Sequence, residues 1–297
     1  MASSGDGCVL VYDIGGSHVS AAVCAEAGFV LGPVVKAAQP DEQSIAAFLD
    51  ALRKLALQAA PDLHRVRGAG LAMPGPFDYE KGVSWMRHKL PYLYGFDLRH
   101  GLAECLSWED AQVRFLNDAA AYLLGEIGAG AARGVGRVVG FTLGTGIGSA
   151  FALDGKLQLN GKGVPPGGEI WNVPFEGGIV EDLISTRAIK RGYLERTGRE
   201  REVAEIAAEA AHDPAVLEVF EQFGRDLGRV LRMLLHDFAP QVVVLGGGIA
   251  GAAPLFLPST RAELQGSPLE VRISTLGDHA PLVGAGVAWL SHNGTLV

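Results

Sequence analysis

Two short segments rich in glycine and hydroxyl groups hold the chemistry most readily read from this chain. One is Asp13-Ile14-Gly15-Gly16-Ser17-His18, which follows the apolar run Val9–Tyr12 and precedes Val19–Val23. The other is Leu143-Gly144-Thr145-Gly146-Ile147-Gly148, which follows Val138–Thr142 and precedes Ser149–Leu153. Each reads as a strand, a glycine turn carrying a hydroxyl, and a second strand. Glycine lets backbone N–H groups converge on one anion, and the hydroxyl adds another donor. Two such hairpins suggest a duplicated unit holding a polyphosphate between its halves. A third cluster, Gly246-Gly247-Gly248, follows the apolar run Val242–Leu245. With Gly251 it formally matches the dinucleotide fingerprint, but so close to the chain end it leaves no room for the rest of such a domain. A glycine surface that receives a base or ribose fits better.

The elements that must position these turns alternate between strand and helix. Gly28 to Lys36 reads as a third strand, Ser44 to Ala59 as a helix with Ile45, Phe48, Leu49, Leu52 and Leu55 on one face, and Val66 to Met73 as a strand ending in Pro74-Gly75-Pro76. The aromatic and basic stretch Trp85 to Gly95 has no period and reads as a loop. A helix from Leu98 to Leu106 and a strand from Gln112 to Leu116 follow, and Asn117-Asp118 opens an alanine-rich helix. The second hairpin begins a second α/β unit. Gly161 to Gly178 is a Gly/Pro-rich loop too long for a simple connection. Helices are predicted at Glu181 to Arg196, Val203 to Ala211 and Ala215 to Phe238, the last with Phe220, Phe223, Leu227, Leu231, Leu234 and Phe238 as its buried stripe. A final helix spans Leu282 to Leu290. Two lobes are expected, 1–116 and 117–280, with a C-terminal helix in 281–297 packing back on the first.

Composition bounds the remaining choices. The 297 residues carry 33 acidic and 25 basic side chains, a net charge of −8, which disfavours nucleic acid as the main partner. At 48% hydrophobic and 20% charged, the chain is that of a folded protein. Cys8, Cys24 and Cys105 form no CxxC pair and cannot make a four-cysteine zinc site, and their odd number argues against a disulfide framework. No signal peptide or membrane span is visible, so a reducing, cytoplasmic setting is expected.

Asp13-Ile14-Gly15-Gly16-Ser17, Leu116-Asn117-Asp118, Leu143-Gly144-Thr145-Gly146-Ile147-Gly148, Gly168-Glu169 and Leu245-Gly246-Gly247-Gly248 occur in the order and spacing of the ROK family of sugar kinases. The chain resembles that family over roughly residues 8 to 291. The resemblance implies an α/β fold of two ribonuclease-H-like lobes, of the actin/hexokinase type, with an interlobe cleft. It also implies small-molecule partners, a sugar and a nucleotide, with a homodimer as the family's usual assembly. Asp118 is then the general base facing the acceptor hydroxyl, although Asn117 and Asp118 also suit a helix cap. Asp13 suits Mg²⁺ or its waters, with a turn-forming aspartate as the alternative. Gly15, Gly16 and Ser17 would form the first phosphate turn, Gly144, Thr145 and Gly146 the second, and Gly246, Gly247 and Gly248 the nucleotide surface. Gly75, Asn117, Asp118, Glu169, Asn172 and Glu181 are the implied sugar contacts, the two glutamates accepting paired hydroxyl bonds. For either glutamate the alternative is a solvated surface side chain.

The chain departs from the family pattern in two places. Asn172 stands where ROK kinases commonly carry a histidine, and Glu176-Gly177-Gly178-Ile179-Val180 lacks the cysteines of the family's zinc motif. No zinc is therefore expected, and packing must organise that loop. His88-Lys89-Leu90 replaces the usual Pro-Asn-Leu, so Lys89 either meets an anionic group on the acceptor or is solvated. The expected activity is phosphoryl transfer from Mg-ATP to a glucose-like hexose. Inorganic polyphosphate is the alternative donor, and a non-catalytic sugar sensor the alternative class. With about seven residues ahead of the first strand, the DNA-binding form of a ROK regulator is not expected.

Overall fold

A computed structural model describes residues 7–291. The chain divides into two α/β units, one running to Arg133 and resuming at Asp278, the other covering Gly134–Gly277. The first opens with β1 (Cys8–Ile14), β2 (His18–Ala25) and β3 (Val35–Ala38), an antiparallel meander. After α1 (Ile45–Ala59) come β4 (Ala69–Met73), a short hairpin of β5 (Phe77–Asp78) and β6 (Val83–Ser84), α2 (Leu98–Leu106), β7 (Val113–Asn117) and α3 (Asp118–Ala129). The five long strands form one sheet in the order β3-β2-β1-β4-β7, with β4 and β7 parallel to β1.

The second unit repeats the plan. Strands β8 (Arg137–Leu143), β9 (Ile147–Leu153) and β10 (Lys156–Gln158) make an antiparallel meander. The small hairpin β11 (Pro174–Phe175) and β12 (Gly178–Ile179) precedes α4 (Val180–Leu183), α5 (Thr186–Thr197), α6 (Val203–Ala210) and α7 (Pro214–Asp237). Strand β13 (Val242–Gly246), α8 (Ala253–Glu263) and β14 (Glu270–Ile273) complete it, and the sheet order is β10-β9-β8-β13-β14. Three antiparallel strands followed by two parallel ones, twice over, is the ribonuclease-H-like plan of actin/hexokinase proteins. The last helix, α9 (Ala280–Leu290), belongs to the first unit.

Periodicity explains most of these elements. Ser44 caps α1, accepting from the Ala47 amide, and Phe48, Leu52 and Leu55 enter the first core. The predicted stripe of α7 is buried from Phe220 to Phe238 in the second core, and Pro214 at the first turn starts the helix where its missing N–H costs nothing. Helices α3 and α9 meet through small residues. A Cβ on Gly284 would collide with the Ala121 carbonyl, and one on Gly125 with that of Ala280. This close packing keeps α3 in the first unit, so the division falls at 133/134 where 116/117 was expected. Residues 292–297 of the expected C-terminal helix lie outside the described residues.

Other boundaries shift for local reasons. The third strand is Val35–Ala38 and not Gly28–Lys36, because Gly28 turns the chain at φ 72° and only the later residues pair with β2. The helix expected over Glu181–Arg196 is two helices, separated at Ile184 and Ser185. The loop Gly161–Gly178 contains β11 and the start of β12.

Candidate active site

The first unit carries its candidate residues at the carboxyl ends of the parallel strands β1, β4 and β7, the usual ligand-binding edge of such a sheet. Register places Asp13 beside Ala72, and Met73 beside Asn117. Thus Asp13, the Pro74-Gly75-Pro76 turn and Asn117-Asp118 emerge along one edge. Asn117 does cap its helix: its Oδ1 accepts from the Ala119 and Ala120 amides at 2.9 and 3.2 Å. Capping leaves the Asn117 Nδ2 to donate to Tyr79 Oη at 3.2 Å, and Tyr79 Oη donates to the Met73 carbonyl at 3.2 Å. Tyr79 therefore ties the ends of β4 and β7 together. Asp118, half-buried at the first position of α3, accepts from the Ala119 amide at 2.9 Å. A carboxylate there also benefits from the positive helix N-terminus.

Electrostatics tie Asp13 to the same edge. Its carboxyl is pushed up to about 6, first by burial and then by the carboxylates of Asp118 and Asp278, against the pull of Lys36. A buried carboxyl that is costly to ionise would be relieved by a hard divalent cation. Such a site takes one or two carboxylates plus phosphate and water oxygens. Among the described residues no group of three or more His, Cys, Asp or Glu side chains is placed to hold a metal ion by itself.

The turn itself is built to present amides. The Gly15 amide donates to the His18 carbonyl at 2.9 Å, while those of Gly16 and Ser17 have no partner among the described residues. Gln39 fastens the turn, donating from Nε2 to the Gly15 carbonyl at 2.7 Å and from its amide to Ser17 O at 2.9 Å. Gly16 and Ser17 are exposed. Ser17 Oγ lies 3.0 Å from His18 Nδ1.

The second unit carries its own candidate residues at the equivalent edge of its sheet. In the turn Gly144-Thr145-Gly146, Gly144 N–H donates to the Gly146 carbonyl at 3.0 Å, and the Thr145 and Gly146 amides have no partner among the described residues. Strand β13 runs beside β8, with Gly246 paired to Thr142. At φ 80°, Gly247 lies against the backbone of Leu143, where a Cβ would collide with the Leu143 carbonyl. The glycine is required on both counts. Gly248 is exposed, in open space.

Glu181 sits beside the second turn. Its Oε2 accepts from the Ile147 amide at 3.1 Å, its Oε1 pairs with Arg187, and a Cβ on Gly146 would crowd it. Glu169 is exposed and accepts from Trp171 Nε1 at 3.0 Å, and Asn172 is exposed beside it. The backbone brings the two loop segments together, since Glu181 N–H donates to the Trp171 carbonyl at 3.1 Å. Buried Ser149 anchors the segment, donating to Gly168 O at 2.7 Å and accepting from the Ile170 amide at 2.9 Å. Lys89, flagged in sequence, is exposed, and its neighbour Arg87 stacks on Tyr94 at 4.4 Å. Tyr79, Gln39, Ser149 and Asp278 carry no motif; only Ser149, directly after Gly148, sits where inspection of the hairpins could have found it. No helix of the described residues is long and apolar enough to cross a membrane.

The comparisons with known proteins agree with this geometry. The model of the ROK family matches residues 9–293. A ROK hexokinase structure from Thermus thermophilus superposes with a TM-score of 0.79 at 30% identity, covering 94% of this chain and 97% of that one. A ROK-family glucokinase from Streptomyces griseus, solved in complex with glucose and AMPPNP, gives a TM-score of 0.74 at 25% identity, covering 94% and 98%. A glucokinase from Thermotoga maritima is 26% identical over 309 aligned residues, covering 92% of this chain and 94% of that protein. With two ribonuclease-H-like units, paired glycine turns and an Asn-Asp helix start on the strand edge, this chain belongs to the ROK family.

Proposed function

We propose that this chain transfers the terminal phosphoryl group of Mg-ATP to a hydroxyl of a glucose-like hexose, with Asp118 as the general base. The chain is a sugar phosphotransferase of the ROK type; the donor, the sugar and the residue roles are our reading. The observation that carries it is the shared strand edge in the first unit, where Asp118 stands at the start of α3 beside capping Asn117 and within electrostatic reach of Asp13.

Each part has a task in that reading. Asp118 accepts the proton of the acceptor hydroxyl as the new O–P bond forms and the bond to the leaving phosphate breaks. Asn117, held by its own helix and by Tyr79, orients the sugar. Glu169 and Asn172 offer an acceptor and an amide to further hydroxyls. The unpartnered amides of Gly16, Ser17, Thr145 and Gly146 bind phosphate oxygens, and Gly246 to Gly248 lie under the base and ribose. Asp13 would hold Mg²⁺ directly or through water, and the cation would neutralise charge on the transferring group.

The test is a coupled transfer assay across hexoses, amino sugars and sugar acids, each with Mg-ATP and with Mg-polyphosphate. Turnover of glucose with Mg-ATP is expected. Turnover only with polyphosphate would replace the donor. Sugar binding without turnover by either donor would make the chain a sensor.

A further inference from the structure

We infer that Arg229, on α7, is a positioning residue for the acceptor loop: its guanidinium grips the tip of the β11–β12 hairpin and so holds Asn172 and Glu181 in register for a sugar. The inference rests on the sugar-kinase reading and adds to it the residue that orders this loop.

The hairpin cannot order itself. Its strands are two residues each, Pro174–Phe175 and Gly178–Ile179, far below the size that is stable alone. Its turn, Glu176-Gly177, has φ of 47° and 84°, so both central residues are left-handed, as a two-residue hairpin turn with native twist demands. Glycine, asparagine or aspartate would adopt the first position more readily than glutamate. What glutamate supplies is reach. Arg229 Nε donates to Glu176 Oε1 at 2.8 Å, and Arg229 Nη2 to Oε2 at 2.9 Å, a two-pronged pairing.

The grip has a rigid base. Arg229 Nη2 also donates to Asp226 Oδ1 at 2.7 Å, and Gln222 Nε2 donates to the same oxygen at 2.8 Å. Asp226 is only 11% exposed, and the helix beneath is buried along its apolar stripe. An isolated surface ion pair contributes little, but a forked pair backed by a buried carboxylate restricts both orientation and distance.

The tip is coupled to the loop by a short ladder. Val180 N–H donates to the Val173 carbonyl at 3.0 Å, and Glu181 N–H to the Trp171 carbonyl at 3.1 Å. Residues 171–173 and 180–181 thus continue the hairpin downward to the segment that bears Asn172 and Glu181. Displacing the tip shifts both sides of this ladder. Val173, Phe175 and Val180 pack in or against the second core and the Ile179 amide donates to Asp182 Oδ2 at 3.1 Å, so the strands have other anchors and the Arg229 fork is the side-chain grip on the turn itself.

The test uses the full chain with Arg229→Lys, which keeps charge but loses the fork, and with Glu176→Gln. Each single variant is expected to raise KM for glucose about tenfold, with KM for ATP and kcat within about twofold of the parent. Amide hydrogen exchange should speed up across 171–181 and stay unchanged in α7. An unmoved glucose KM in a folded variant overturns the inference. So does a parallel worsening of both KM values, kcat and Tm, which would mark general destabilisation. A parent enzyme that phosphorylates no sugar would instead break the kinase reading, and unaltered exchange across 171–181 in the variants would then sink the clamp separately.

Discussion

Where the first unit places Asp13, one residue before the last of β1, the second places Thr142 at the corresponding position of β8. The same correspondence continues along both sheets. Pro74-Gly75-Pro76 after β4 matches Gly247-Gly248 after β13, and Asn117-Asp118 at the end of β7 matches Ile273-Ser274 at the end of β14. One plan has been given two chemistries. The first unit brings carboxylates to its strand edge, where burial first, and then Asp118 and Asp278, push Asp13 up to about 6. The second offers hydroxyls, glycines and unpaired amides, the groups that hold an anion without proton chemistry. The comparison teaches that a duplicated scaffold repeats the glycine turns, while the carboxylates to which we assign base and cation ligand stand in one unit alone.

The largest expected effect separates the two edges. Asp118→Asn should lower kcat by about a thousandfold, since the asparagine cannot accept a proton. Thr145→Ala should cost only about tenfold in KM for ATP, the loss of one hydroxyl donor among several. Comparable losses of kcat in both variants would erase the distinction.

Stability sharpens the contrast between glycines. Gly247→Ala should destabilise the chain by about 2–4 kcal/mol, because the left-handed backbone and the Leu143 carbonyl both reject a Cβ. Gly16→Ala, in open space, should change urea unfolding by less than about 0.5 kcal/mol while weakening ATP binding. Ser149→Ala should cost about 1–3 kcal/mol, since it strands the Gly168 carbonyl and the Ile170 amide in a buried site. Equal unfolding midpoints for Gly247→Ala and Gly16→Ala would contradict the close approach at Gly247.

The smallest effect is the pH dependence of Asp13. Burial and neighbouring acids raise its folded-state pKa to about 6 from the ordinary carboxyl value, so the folded chain holds this proton more tightly than the unfolded one. Its contribution to stability is complete below the unfolded pKa and is lost as pH rises through about 6. Without divalent cations, Asp13→Asn should therefore be more stable than the parent by about 1–2 kcal/mol at pH 7–8, the difference closing below about pH 4. Urea unfolding across that range checks it, and a difference growing toward low pH would reverse the sign.

How far the sequence could be read depends on how local each cause is. The two hairpins, α1 and the α7 stripe were legible because period and glycine spacing are encoded within the segment. Gly28 to Leu31 looks like strand by composition, yet the turn at Gly28 leaves only an isolated bridge between Leu31 and Cys24. Helix α8 escaped because it has no side-chain cap and carries Pro258 inside it. The strand-edge acids Asp13 and Asp118 stand in motifs, so chemistry exposed them. Asp278, Tyr79 and Gln39 act through partners distant in the chain, a relation that only the folded sheet supplies. Arg229 belongs with them, since nothing in its helix distinguishes it from Arg225 until the hairpin tip arrives.

The central claim, that the first unit's edge holds the sugar's reacting hydroxyl through a base that is not needed for binding, is tested most directly by calorimetry on Asp118→Asn. Glucose and a non-hydrolysable ATP analogue should each bind within about threefold of their parent affinities. Loss of glucose binding in the folded variant would make Asp118 a sugar anchor and leave the base unassigned.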